Sequence, residues 1–166
     1  KTLIVVDNLA KYYAMNIKTG ELIWTKTNVA PFNSQIKIYD GKFFVTDFDN
    51  VLRCFSIKDG SELWNVKTDT AFIKSKKKLS LVILNGYIYF NNSIGDISAV
   101  DIKTGNLIWQ TPTQSSLIYE DSFLLETSDL IADDDIYTYQ VSLPEGNYEF
   151  KIVLNNNWDQ STSDNI

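Results

Sequence analysis

Two groups of residues in this 166-residue chain are of types that do chemistry. Asp129 and Asp133-Asp-Asp135 bring carboxylates together, and neighbouring carboxylates can hold a hard cation. A calcium site, however, takes about six to eight oxygens, and this cluster lacks the spacing and glycine of a calcium loop. It reads first as a solvated turn. Nothing fixes two opposed acids at the separation that glycoside hydrolysis needs. The second group is Tyr148, Lys151, Asn157 and Trp158, an aromatic platform with hydrogen-bonding side chains, as a sugar-binding surface uses. The competing reading puts Tyr148 and Trp158 in the core, because strand aromatics usually pack inward. Histidine is absent, which removes the commonest general base, the Ser–His and Cys–His pairs and the commonest zinc ligand. Cys54 is the single cysteine, so no disulfide forms within the chain. No catalytic residue, metal ligand or cofactor is assigned.

Composition narrows the partners. The chain is 44% apolar, 13% aromatic and 22% charged, with net charge −6. That balance argues against nucleic acid or an anionic membrane as the main partner. The basic run Lys74-Ser-Lys-Lys-Lys78 reads as a solvated loop tip. No apolar run approaches the roughly 18–20 residues of a membrane-spanning helix. Lys1 leads directly into a strand, so neither a leader peptide nor a lipid-anchor cysteine is expected within these residues.

The elements behind these groups are set by a repeat. Ala14-Met-Asn-Ile-Lys-Thr-Gly-Glu-Leu-Ile-Trp24, Cys54-Phe-Ser-Ile-Lys-Asp-Gly-Ser-Glu-Leu-Trp64 and Ala99-Val-Asp-Ile-Lys-Thr-Gly-Asn-Leu-Ile-Trp109 are three copies of one stretch. Gly20, Gly60 and Gly105 are spaced by 40 and 45 residues, as are Trp24, Trp64 and Trp109. Such a period marks a propeller or a solenoid. Each copy predicts a hairpin: an apolar strand enters, Lys-Thr-Gly or Lys-Asp-Gly turns, and a second strand leaves through the tryptophan. The oxygens of Asn16, Ser56 and Asp101 are placed to accept from turn amides. The tryptophans are expected to pack on the neighbouring unit, each indole N–H finding a partner. Cys54 stands where the other copies have Ala14 and Ala99, which predicts a small buried core thiol.

The pattern Ala-x-Asp-x-x-Thr-Gly-x-x-x-Trp resembles the repeat of pyrroloquinoline-quinone-like β-propeller proteins. The third copy carries all of it in Ala99, Asp101, Thr104, Gly105 and Trp109. The first has Ala14, Thr19, Gly20 and Trp24 with Asn16 for the aspartate, and the second keeps Gly60 and Trp64. The resemblance implies an all-β partial propeller of about three four-stranded antiparallel blades with a C-terminal β-hairpin segment. The blades fall at 1–27, 35–67 and 79–112, the first without its innermost strand. Propellers usually close with at least four blades. About two and three-quarter blades therefore imply part of a larger propeller, or an assembly that closes between chains.

Past Pro112 the repeat fails, leaving 113–166 as a degenerate fourth blade or part of a sandwich module. Leu117 to Leu125 is a candidate strand pair, Asp129 to Asp135 an acidic turn, and Ile136–Ser142 and Tyr148–Leu154 are strands. Residues 133–161, with Tyr-x-Tyr-x-Val-x-Leu-Pro-x-Gly-x-Tyr-Glu-Phe-Lys and Trp158-Asp, resemble the starch-binding-like sandwich module beside pullulanase catalytic domains. Within the propeller family the likeness is closest to the outer-membrane assembly scaffold lipoprotein. It implies a periplasmic or otherwise extracytoplasmic, non-enzymatic scaffold that takes a protein partner through blade-edge loops. The alternatives are α-glucan binding by the C-terminal segment and a fragment of a quinoprotein dehydrogenase. The dehydrogenase reading implies a quinone in a central channel with calcium and a vicinal disulfide, which one cysteine does not supply.

Overall fold

The computed structural model describes residues 1–69, 77–113, 129–132 and 137–139. Every element among them is a strand. The first sheet joins β1 (Thr2–Val6), β2 (Lys11–Asn16) and β3 (Leu22–Thr27) in that order. The second runs β4 (Lys37–Tyr39), β5 (Lys42–Thr46), β6 (Val51–Ser56) and β7 (Glu62–Lys67). The third runs β8 (Leu81–Leu84), β9 (Tyr87–Asn91), β10 (Asp96–Asp101) and β11 (Leu107–Pro112). All pairings within these sheets are antiparallel neighbours in sequence, the plan of a propeller blade.

Turn chemistry dictates the hairpins. Asp40-Gly41 and Asn85-Gly86 have positive φ at both residues, the two-residue turn whose twist matches paired strands. The other early turn of each blade is headed by Asp7, Asp47 or Asn92. Its side-chain oxygen accepts N–H groups two and four residues on: Leu9 and Lys11, Asp49 and Val51, Ile94 and Asp96. Asp47 also holds Arg53 Nε at 2.7 Å, and Arg53 Nη1 reaches Glu62 at 2.8 Å, tying this turn to β7.

Among the described residues the first sheet has no counterpart of β4 and β8. Those two strands adjoin, with Ser34 and Leu79 in a parallel bridge and Leu79 N donating to Asn33 O at 2.7 Å. The blades therefore fan from their first strands and stack face to face. The middle blade is buried on both faces. Phe43, Val45 and Phe55 join Ile4, Tyr12, Ala14 and Phe32 in one core. Phe44, Leu52 and Cys54 join Leu81, Ile88, Phe90, Val100 and Ile102 in the other. This explains why β5 reads as an unbroken apolar run, since both strand faces are covered.

β12 (Leu130–Ala132) pairs antiparallel with β13 (Tyr137–Tyr139), so part of the expected acidic turn is strand. Leu130 N donates to Ser80 Oγ at 2.8 Å, which sets β12 beside β8. Asp133–Asp135 and the strand pair expected over Leu117–Leu125 lie outside the described residues.

Candidate interaction surface

Each repeat ends in the same knob and socket. In the first turn Asn16 Oδ1 accepts Lys18 and Thr19 N–H at 2.9 and 3.4 Å. In the third, Asp101 Oδ1 accepts Lys103 and Thr104 N–H and the Thr104 hydroxyl at 3.0, 2.8 and 2.9 Å. These bonds, the Thr104 N–H foremost, lower the Asp101 pKa. Thr19 and Thr104 hydroxyls in turn accept the N–H two residues on. The middle turn corrects the sequence expectation: Ser56 donates its hydroxyl to Asp59 rather than receiving turn amides. Asp59 also accepts the Ser61 hydroxyl and N–H at 2.8 and 3.1 Å. The Ser61 hydroxyl is the largest cause pulling Asp59 down to about 2.

After the turn, each outer strand carries a bulge. Ala14 faces Trp24 and Met15 faces Leu22, leaving Ile23 extra. Cys54 faces Trp64 and Phe55 faces Glu62, leaving Leu63. Ala99 faces Trp109 and Val100 faces Leu107, leaving Ile108. The repeat thus pairs its small residue directly across from its tryptophan, and Ala14, Cys54 and Ala99 are buried. Burial pushes the Cys54 thiol up to about 12, which suits a core residue and not a nucleophile.

The indoles reach the next blade. Trp24 covers Gly60, where a Cβ would fall 2.8 Å from Cζ3, and donates Nε1–H to Ile57 O at 3.0 Å. Tyr12 donates its hydroxyl to Gly60 O at 3.0 Å. Trp64 covers Gly105, with a Cβ 2.7 Å from Cδ2, but its buried Nε1 has no hydrogen-bond partner among the described residues. Trp109 stands exposed beside Tyr89, ring centroids 5.9 Å apart. Among the described residues nothing lies within 4 Å of the Cβ position of Gly20.

The bulges have an outward consequence that sequence reasoning missed. Ile23, Leu63 and Ile108 are exposed, one per blade, on the outermost strand. Their signal was the residue before each tryptophan, read only as part of a strand. On the middle blade, Asp49, Val51, Arg53, Asn65 and Lys67 line a shallow polar depression. Tyr148, Lys151, Asn157 and Trp158 lie outside the described residues.

Four-stranded antiparallel blades stacked through tryptophan knobs define a β-propeller of the pyrroloquinoline-quinone-like class. The chain belongs to the outer membrane protein assembly factor BamB family, whose profile matches residues 1–163. It is 26% identical over 108 residues to outer membrane protein assembly factor BamB of Moranella endobia, covering 65% of this chain and 28% of that one. The chain therefore spans under a third of that relative's length. Over 68 residues it is 29% identical to amylopullulanase of Thermoanaerobacterium thermosulfurigenes, 41% of this chain and 3% of that one. BamB from Moraxella catarrhalis shares the fold at TM-score 0.61 and 18% identity, over 68% of this chain and 34% of that structure. A quinohemoprotein alcohol dehydrogenase from Pseudomonas putida does so at TM-score 0.55 and 21% identity, over 66% and 19%.

The cofactor set that the quinoprotein resemblance implies does not fit these residues. The lone cysteine is buried opposite Trp64, and no three His, Cys, Asp or Glu side chains converge among the described residues.

Proposed function

We propose that this chain is a non-catalytic, extracytoplasmic propeller scaffold that holds a protein partner of outer-membrane protein assembly. Membership of the BamB family supports the setting. The observation that carries the docking mode is the recurrence of one bulged, exposed aliphatic side chain per blade: Ile23, Leu63 and Ile108. A bulge interrupts the ladder and turns an edge strand away from further pairing. The partner is therefore gripped by side chains on the outer strands and adjoining loops rather than by an added strand.

The test is calorimetric titration of this chain with periplasmic components of the assembly machinery. Ile23→Lys, Leu63→Lys and Ile108→Lys should each weaken binding about tenfold, on the scale of an interface anchor. Their circular dichroism should stay unchanged. A triple variant that binds like the parent would sink the proposal.

A second reading joins the resemblance of residues 133–161 to a starch-binding-like module with the 68-residue amylopullulanase likeness. In it, Tyr148, Lys151, Asn157 and Trp158 bind α-glucan. Retention on amylose, lost in Trp158→Ala, decides it; a parent chain that is not retained rules it out.

A further inference from the structure

We infer that the outer rim selects an acidic partner: Lys18, Lys58 and Lys103 accompany the aliphatic row Ile23, Leu63 and Ile108, and together they take a protein segment that carries carboxylates beside apolar side chains. The inference rests on the scaffold reading and adds the chemistry of the partner. In every repeat the lysine precedes the bulged aliphatic residue by five positions. It stands in the turn between the last two strands of its blade. All three lysines are exposed.

The tryptophans fix these turns to one another. Trp24 donates to Ile57 O and covers Gly60, the residues on either side of Lys58 and Asp59. Trp64 covers Gly105, two residues beyond Lys103. Side chains of one blade therefore hold the turn of the next, and the lysines recur with the blades rather than on loose loops. A row set in place before binding loses less freedom on association.

The carboxylates nearest these lysines are engaged elsewhere. Asp101 accepts the Lys103 and Thr104 amides, and Asp59 accepts Ser56 and Ser61. Asn16 fills the place of Asp101 in the first repeat without a charge. Glu21 accepts the Thr19 hydroxyl, and Glu62 holds Arg53 Nη1. Among the described residues the ion pairs are those of Arg53, so none of the three lysines has a carboxylate partner there. Asp40 is exposed on the adjoining turn of the middle blade, where Ile57 N donates to Gly41 O at 3.0 Å. One such acid stands against three lysines. On a chain of net charge −6 an acidic partner is repelled elsewhere, so this row also orients it.

The experiment follows association of the full chain with purified periplasmic components of the assembly machinery by stopped-flow mixing. It is run at about 0.1 M and about 1 M salt, where charges are screened over about 10 Å and 3 Å. Lys18→Glu, Lys58→Glu and Lys103→Glu combined should slow association about tenfold at the lower salt, and the gap should close at the higher. The three arginine replacements combined should associate like the parent. Leu63→Glu should bind about threefold more weakly than Leu63→Lys, since both lose the aliphatic contact and only the charge differs. Circular dichroism and melting should match the parent throughout, because these sites are exposed. A parent that binds no component ends the scaffold reading and this inference with it. A parent that binds, with the triple glutamate variant associating equally fast or Leu63→Glu binding as well as Leu63→Lys, overturns this inference alone.

Discussion

The two internal junctions of the stack place their shortest side-chain hydrogen bonds at opposite ends. Between the first and middle blades, closure is at the tryptophan end. Trp24 donates to Ile57 O, Tyr12 donates to Gly60 O, and the core is aromatic, with Phe43 and Phe55 stacked at 5.0 Å. Between the middle and third blades the Trp64 indole nitrogen has no partner among the described residues, and the polar lock moves to the turn end. There Asn50 donates to Ser93 Oγ and Asp69 O, both at 2.7 Å, and accepts Ser93 N–H at 3.2 Å. In the first blade the place of Asn50 is held by Ala10, with φ +66 and no side chain to bridge. One repeat therefore supports two ways of locking neighbours, because the tryptophan knob and the apolar blade faces supply the burial and the polar lock is free to move.

The glycine sockets give the largest expected effect. Gly60→Val and Gly105→Val should each cost about 2–4 kcal/mol in urea unfolding, combining overpacking against an indole with left-handed backbone strain. Gly20→Val, with open space, should cost only the strain, about 1–2 kcal/mol. Equal losses at all three would mean that the indole contacts matter little.

The polar locks separate next. Asn50→Gly keeps the backbone at ease at φ +58 but strands buried partners, and should cost about 1–3 kcal/mol. Ala10→Gly, at the matching place, should stay within about 1 kcal/mol.

The indole nitrogens discriminate on a similar scale. Trp24→Phe should lose more than Trp64→Phe by about 1–3 kcal/mol, because only Trp24 leaves a bonded carbonyl unpaired. Tyr12→Phe should cost about 1 kcal/mol, measured the same way.

The smallest effect is in acid. Asp59, held at about 2 in the fold, has an ordinary value of about 3.9. A lowered folded-state pKa contributes stability that is whole above about 3.9 and is lost as pH falls toward about 2. Asp59→Asn should flatten the stability profile over that interval and leave it unchanged near neutrality.

By itself the sequence determined the repeat, the hairpins and the small residue that each copy keeps before its turn. Those signals are local: a glycine, an Asx or threonine oxygen and an alternating strand act within about ten residues, so each copy carries its own evidence. Asp59 displacing Ser56 as the acceptor shows the limit, since two polar residues three apart can exchange roles without changing the pattern. Tertiary structure alone decided where each tryptophan goes. Trp24 and Trp64 cover glycines 36 and 41 residues ahead, in the next blade, and no local periodicity encodes a contact of that span. The bulge that sets Ala14 opposite Trp24 and leaves Ile23 outside was equally silent, because one extra residue alters which side chains face each other without altering composition. The same stacking decided that the apolar residues of β5 are core while Leu3, Val5 and Ile17 are exposed. Equivalent positions diverge because a face is buried only where a neighbouring blade covers it.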